Sequence, residues 1–291
     1  MRLILLLLCL AGPVRAEPLK VVASFSILAD LAAQTGGDLV SVTALVGPGA
    51  DLHEFQPRPE DARKLAGTDL VLINGLGAEG WIGQLVAASG FKGPVVTLSE
   101  RAPIRLIPGD PHVWQDVGNA RLYAAAMADA FIALRPEQAD AFRANEARYR
   151  AALTALDDWI KTTLPPGPKL MVVPHDGFAY FAAAYDVKVE ALQPSSDAEP
   201  SPRRYSALTK LIPAGHIRAL FGEAYEDPRI MRLLAEDGGA KLAGDLYADT
   251  LSPPNGPAPD YIALMRHNVA LMEGALSQPG SITAPLRPER R

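Results

Sequence analysis

A chain of 291 residues, 48% hydrophobic and 21% charged, is ordinary globular material and long enough for two domains of moderate size. A formal net charge of −5 with no cluster of Lys and Arg excludes nucleic acid as a partner. A single cysteine excludes a disulfide framework, so a metal site would have to be built from imidazole and carboxylate, and the chain has five histidines.

Arg2, the nine apolar residues Leu3 to Ala11 and the small residue Ala16 give residues 1–16 the pattern of a secretory signal peptide, with Glu17 as the mature N-terminus. Nine apolar residues are too few to span a bilayer, which needs roughly 20. Cys9 lies inside this segment and lacks the small preceding residue that lipid attachment wants. Loss of Arg2 and Arg15 takes the net charge from −5 to −7. Short β-rich runs then alternate with helical segments. Strands are expected at Leu19 to Phe25, Val40 to Val46, Asp69 to Asn74 and Pro94 to Leu98. Between them fall helices at Ser26 to Thr35, capped by Ser26 and stopped by Gly36-Gly37, at Pro59 to Ala66 and at Trp81 to Ser89. This alternation argues for a parallel sheet with crossover helices.

Asn119 to Leu134 reads as a helix, and so does Pro136 to Thr163, where Phe142, Tyr149, Leu153, Leu156 and Ile160 form one apolar stripe. A helix of that length spans on the order of 40 Å. Leu164-Pro165-Pro166-Gly167-Pro168 stops it. The second half repeats the alternation, with strands at Lys169 to Val173, Val187 to Leu192, Ile217 to Gly222 and Lys241 to Tyr247. Its helices are expected at Phe178 to Ala184, Ser201 to Ile212, Pro228 to Asp237 and Asp260 to Leu276. The fold class is therefore α/β, with two lobes of parallel sheet flanked by helices and joined by one long rigid helix. Residues 17–135 form the first lobe, 136–163 the connecting helix, 164–277 the second lobe and 278–291 a flexible tail.

His53, His112, His175 and Asp249 each follow an expected parallel strand, where side chains open into the crevice at the strand C-termini. They are separated by 59, 63 and 74 residues, so a site built from them is long-range, with one pair from each lobe and the ion in the cleft between. Three imidazoles and a carboxylate suit a borderline divalent cation such as zinc. Taken singly, each is more readily a turn or structural residue; His216 and His267 are read as structural. Gly75-Leu76-Gly77-Ala78-Glu79-Gly80 spells a dinucleotide fingerprint, with Glu100 where a ribose ligand could stand, yet it sits in the third strand unit of an exported chain. A tight glycine turn is the better reading. A zinc hydrolase remains open, with water in place of Asp249 and Glu54 as the spare base. No nucleophile elbow supports a serine hydrolase.

The chain resembles the zinc- and manganese-binding family of ABC-transporter solute-binding proteins. The resemblance runs from Val21-Val22-Ala23-Ser24-Phe25-Ser26-Ile27-Leu28-Ala29-Asp30 to the terminal helix. It includes Asn74 to Trp81, Asp110-Pro111-His112-Val113-Trp114, His175-Asp176-Gly177-Phe178-Ala179-Tyr180-Phe181 and Ala198-Glu199-Pro200-Ser201-Pro202. It implies His53, His112, His175 and Asp249 as metal ligands, with Asp249 the loosest match, and Asn74 to Trp81 as a structural turn. It also implies a periplasmic receptor, monomeric, that delivers its ion to a membrane permease with no chemical step. Histidine at 175, where manganese-type relatives often carry glutamate, favours Zn²⁺ as the transported ion, with Mn²⁺ or iron as the alternative. Two departures stand out. Gln56 replaces a glutamate, and Ser99 to Gly109 lacks the histidine-rich loop of many zinc-type relatives, leaving capture to the main site or to a separate metallochaperone.

Overall fold

The computed structural model describes residues 17–166, 170–194, 198–213 and 217–277. The signal segment with Cys9, the tail at 278–291 and His216 lie outside the described residues.

The first sheet is built from β1 (Leu19–Phe25), β2 (Val40–Val46), β3 (Leu70–Ile73) and β4 (Val95–Thr97). The helices α1 (Ser26–Gly36), α2 (Pro59–Ala66) and α3 (Ile82–Ser89) lie between its strands, and a single turn, α4 (Leu98–Arg101), follows β4. The strands are parallel in the order β2-β1-β3-β4. β1 is buried on both faces except at Lys20, as a central parallel strand covered by helices must be. Gly37, at φ 57°, ends α1, as the double glycine predicts. Ser26 does not cap α1. Phe25 holds the cap position without a side-chain bond, and the Ser26 hydroxyl is used elsewhere, as described below.

Two helices carry the chain onward. α5 (Val117–Leu134) opens with the Asp116 carboxylate accepting from Gly118 N, and α6 runs Ala139–Thr163. α6 begins three residues later than Pro136 because Pro136–Gln138 close a separate 3₁₀ turn, with Arg135 in a non-helical conformation. The expected stripe Phe142, Tyr149, Leu153, Leu156 and Ile160 is its buried face. α6 lies along α1 and α5 and joins the two lobes.

The second sheet repeats the first. β5 (Leu170–His175), β6 (Lys188–Gln193), β7 (Ile217–Glu223) and β8 (Leu242–Leu246) are parallel in the order β6-β5-β7-β8. Around it stand α7 (Ala179–Tyr185), α8 (Pro202–Leu211), α9 (Arg229–Asp237) and α10 (Tyr261–Leu276), the last also packed on α6. In each sheet the first strand is flanked on both sides, so the chain reverses its direction of travel there. That is the switch point where a crevice opens beyond the strand C-termini. One apolar core runs through both lobes, including Phe25, Trp114, Phe142, Phe178, Phe181, Leu246 and Tyr261. Among the described residues, no helix is long and apolar enough to cross a membrane.

Candidate metal centre

His53 stands in the loop after β2. Its backbone N–H donates to Asp51 Oδ1 at 2.6 Å, a local turn that fixes the residue. Trp81 Nε1 donates to the Leu52 carbonyl at 2.9 Å, and its ring meets the edge of Phe55 at 4.7 Å, so the loop is anchored to the start of α3. His112 follows Pro111, whose carbonyl accepts from Asn74 Nδ2 at 2.9 Å; Tyr123 donates to Asn74 Oδ1 at 2.7 Å. His175 is the last residue of β5. Gly177 stands next to it for a steric reason, since a Cβ there would lie 2.6 Å from His175 Nε2 and fill the site. Asp249 occupies the connection between β8 and α10.

The four side chains converge. The separations are 3.2 Å for His53 Nε2 to His112 Nε2, 3.4 Å for His112 Nε2 to His175 Nε2 and 3.4 Å for His53 Nε2 to Asp249 Oδ2. His175 Nε2 lies 3.3 Å from Asp249 Oδ2, and His112 Nε2 lies 3.5 Å from Asp249 Oδ1. Four donors at about 2.0–2.1 Å from a tetrahedral ion stand about 3.3 Å apart, close to these five separations, and all four donor atoms lie within 4.8 Å of one another. His112 Nδ1 lies 2.6 Å from Asp110 Oδ1, and His175 Nδ1 lies 2.7 Å from Glu223 Oε2. Each carboxylate is placed to accept from Nδ1–H, which leaves Nε2 as the nitrogen turned inward, the arrangement seen behind metal-binding histidines. Asp249 Oδ1 is buried without a hydrogen-bond partner among the described residues.

The electrostatics follow the same division. Burial alone would lower the His175 pKa, but Glu223 and Asp249 hold it well above the usual imidazole value. Burial likewise opposes charge on His53, and Asp249 raises it nonetheless. Burial would raise Asp249, yet His112 and His175 hold it well below the carboxylate range. Burial pushes Glu223 up, against the pull of His175. His53 is the most open of the four, its side chain 18% exposed against 1–6% for the other three.

His267 is structural, its Nε2 3.2 Å from the Asp245 carbonyl and its ring edge-on to Tyr247. The glycine turn has its own anion. Asn74 N and Gly75 N donate to the buried Glu79 carboxylate at 2.7 and 3.0 Å, and Ser24 donates to it at 2.6 Å. The amides a phosphate would need are thus occupied from within the chain. Glu54 lines a separate cavity with Glu199, Glu226 and Asp227. Sequence reasoning gave no role to Asp110, Glu223, Asn74 or Glu79. An acid ending an apolar strand, as Glu223 does, was the available signal for one of them.

The sequence profile of a family described as zinc-uptake complex component A, periplasmic, matches residues 21–275. The manganese-binding lipoprotein MntA of Halalkalibacterium halodurans is 32% identical over 270 residues, covering 90% of each chain. The iron-binding protein YfeA of Yersinia pestis is 28% identical over 264 residues, covering 87% of this chain and 85% of its own. The solved periplasmic zinc-binding protein TroA of Treponema pallidum superposes with a TM-score of 0.83 at 26% identity, covering 89% of this chain and 99% of that one.

Proposed function

This chain belongs to the family of periplasmic zinc-uptake complex component A, and from that premise we propose that it captures Zn²⁺ in the periplasm and delivers it to the permease of an ABC transporter. It is a receptor and not an enzyme: the ion is bound and handed on with no chemical step. One observation carries the reading. Three imidazole Nε2 atoms and the Asp249 carboxylate converge within 4.8 Å of one another, and Asp110 and Glu223 back the far nitrogens of His112 and His175. Such a cluster offers a single cation four donors at once. His53, His112, His175 and Asp249 are the proposed ligands.

Zinc over manganese rests on the donor set, since imidazole suits zinc while carboxylate, carbonyl and water suit manganese. The second reading is a manganese or iron carrier. The named ligands of MntA and YfeA favour it, and both Asp249 oxygens face the donors. The proposed lobes, residues 17–135 and 164–277, hold the ion between them, and the receptor works as a monomer loaded directly or by a metallochaperone. His112→Ala should lower zinc affinity by several orders of magnitude in competition with an indicator, with the circular dichroism spectrum unchanged. Affinity equal to the parent would remove His112 from the site.

A further inference from the structure

Asp249 lies in the second half of the chain, but the first lobe grips its segment. Asn268 Oδ1 accepts from Tyr247 N at 2.9 Å and Asn268 Nδ2 donates to Tyr247 O at 2.7 Å, so Tyr247 is fixed to α10. From Ala248 onward the partners change. Trp114 Nε1 and Gln115 Nε2 both donate to the Ala248 carbonyl at 2.8 Å. Leu251 N donates to the Ser26 hydroxyl at 3.0 Å, and Gly49 N donates to Leu251 O at 3.0 Å. The two residues holding Ala248 sit on the 3₁₀ turn that directly follows His112. One ligand's turn therefore clasps the peptide beside another ligand.

Gln115 is the telling member of this clasp. It is fully buried, yet its Oε1 has no partner among the described residues. An orphaned buried acceptor opposes folding, and an apolar side chain of similar shape would serve stability as well or better. The Ala248 carbonyl is already satisfied by Trp114 Nε1, so a second donor is not needed to bury it. What the second donor adds is direction. It fixes the carbonyl on both lone pairs and with it the peptide leading to Asp249. We infer that Gln115 is a positioning residue for metal binding, holding Asp249 in register with His112 so that the two ligands act as one unit. The inference rests on the metal-receptor reading of the four ligands.

The test compares the chelator-stripped parent with Gln115→Leu and, as a longer flexible isostere, Gln115→Met. Three quantities are read: thermal unfolding without metal, the rate of Zn²⁺ loss to an excess of fluorescent chelator, and the visible absorption of bound Co²⁺. The variants should unfold at or above the parent temperature. They should lose zinc several-fold faster, up to about tenfold, the scale of one neutral hydrogen bond. Their Co²⁺ bands should weaken or shift as the Asp249 carboxylate loosens. Parent-like rates and Co²⁺ spectra in both variants would overturn the inference, and so would unfolding far below the parent, which would make Gln115 structural. A parent that takes up neither ion would overturn the receptor reading itself.

Discussion

At the scale of single residues, the proposed site is organised by carboxylates that stand behind two of the four candidate ligands. Asp110 behind His112 and Glu223 behind His175 choose the tautomer, and Gly177 keeps the space in front of His175 empty. Carboxylates also set a pH dependence, Asp249 at His53 and Glu223 with Asp249 at His175. His53 and His175 are both raised above the ordinary imidazole value, so in the metal-free protein they keep their protons to higher pH. A protonated Nε2 cannot bind a metal, and each proton must leave before the ion enters. Affinity is therefore full at high pH and lost as pH falls. The loss begins above the ordinary value of about 6.5, not at it as the free imidazole would suggest. Zinc titrations between pH 5 and 9 check this, and a flat profile above 6.5 would contradict it. Asp110 is two residues from its histidine, while Glu223 is 48 away on another strand, and no local pattern links it to His175.

At the scale of elements, the strands and helices were legible because the chain obeys its periods. Several β-rich runs stop at Gly or Pro, as at Gly47, Gly75 and Pro194, and an apolar stripe recurs at helical spacing along α6. What misled was chemistry with two uses. Ser26 has the look of an N-cap, but its hydroxyl accepts from Leu251 N across the molecule. The run Gly75-Leu76-Gly77 has the spelling of a phosphate loop, and its three residues do take positive φ of 87°, 57° and 87°. Glu79 supplies the anion the loop wants. Glu79→Ala would strand the buried Asn74 N–H, the part-buried Gly75 N–H and the Ser24 hydroxyl, at roughly 1–3 kcal/mol each before relaxation or water relieves part of it. A loss of about 3 kcal/mol in urea unfolding of the metal-free protein is the expected outcome. A loss below about 1 kcal/mol would show that the turn stands without its carboxylate.

At the scale of the whole molecule, the two sheets share one topology, and strand alternation made their parallel strands readable, though not the order in which they lie. That alternation is why His53, His112, His175 and Asp249, far apart in sequence, could be grouped at all. The bonding between the lobes was not readable. The Trp114 and Gln115 grip on Ala248 joins residues 134 and 133 positions apart, and nothing at either end announces the other. As proposed, the site selects its ion through a donor set held by both lobes. The most direct measurement is a titration of the chelator-stripped protein with Zn²⁺ and with Mn²⁺ against a competing indicator. One-to-one binding with zinc much tighter than manganese is the predicted result. Manganese binding equal to or tighter than zinc would contradict the zinc assignment, and tight binding of neither ion would contradict the receptor reading.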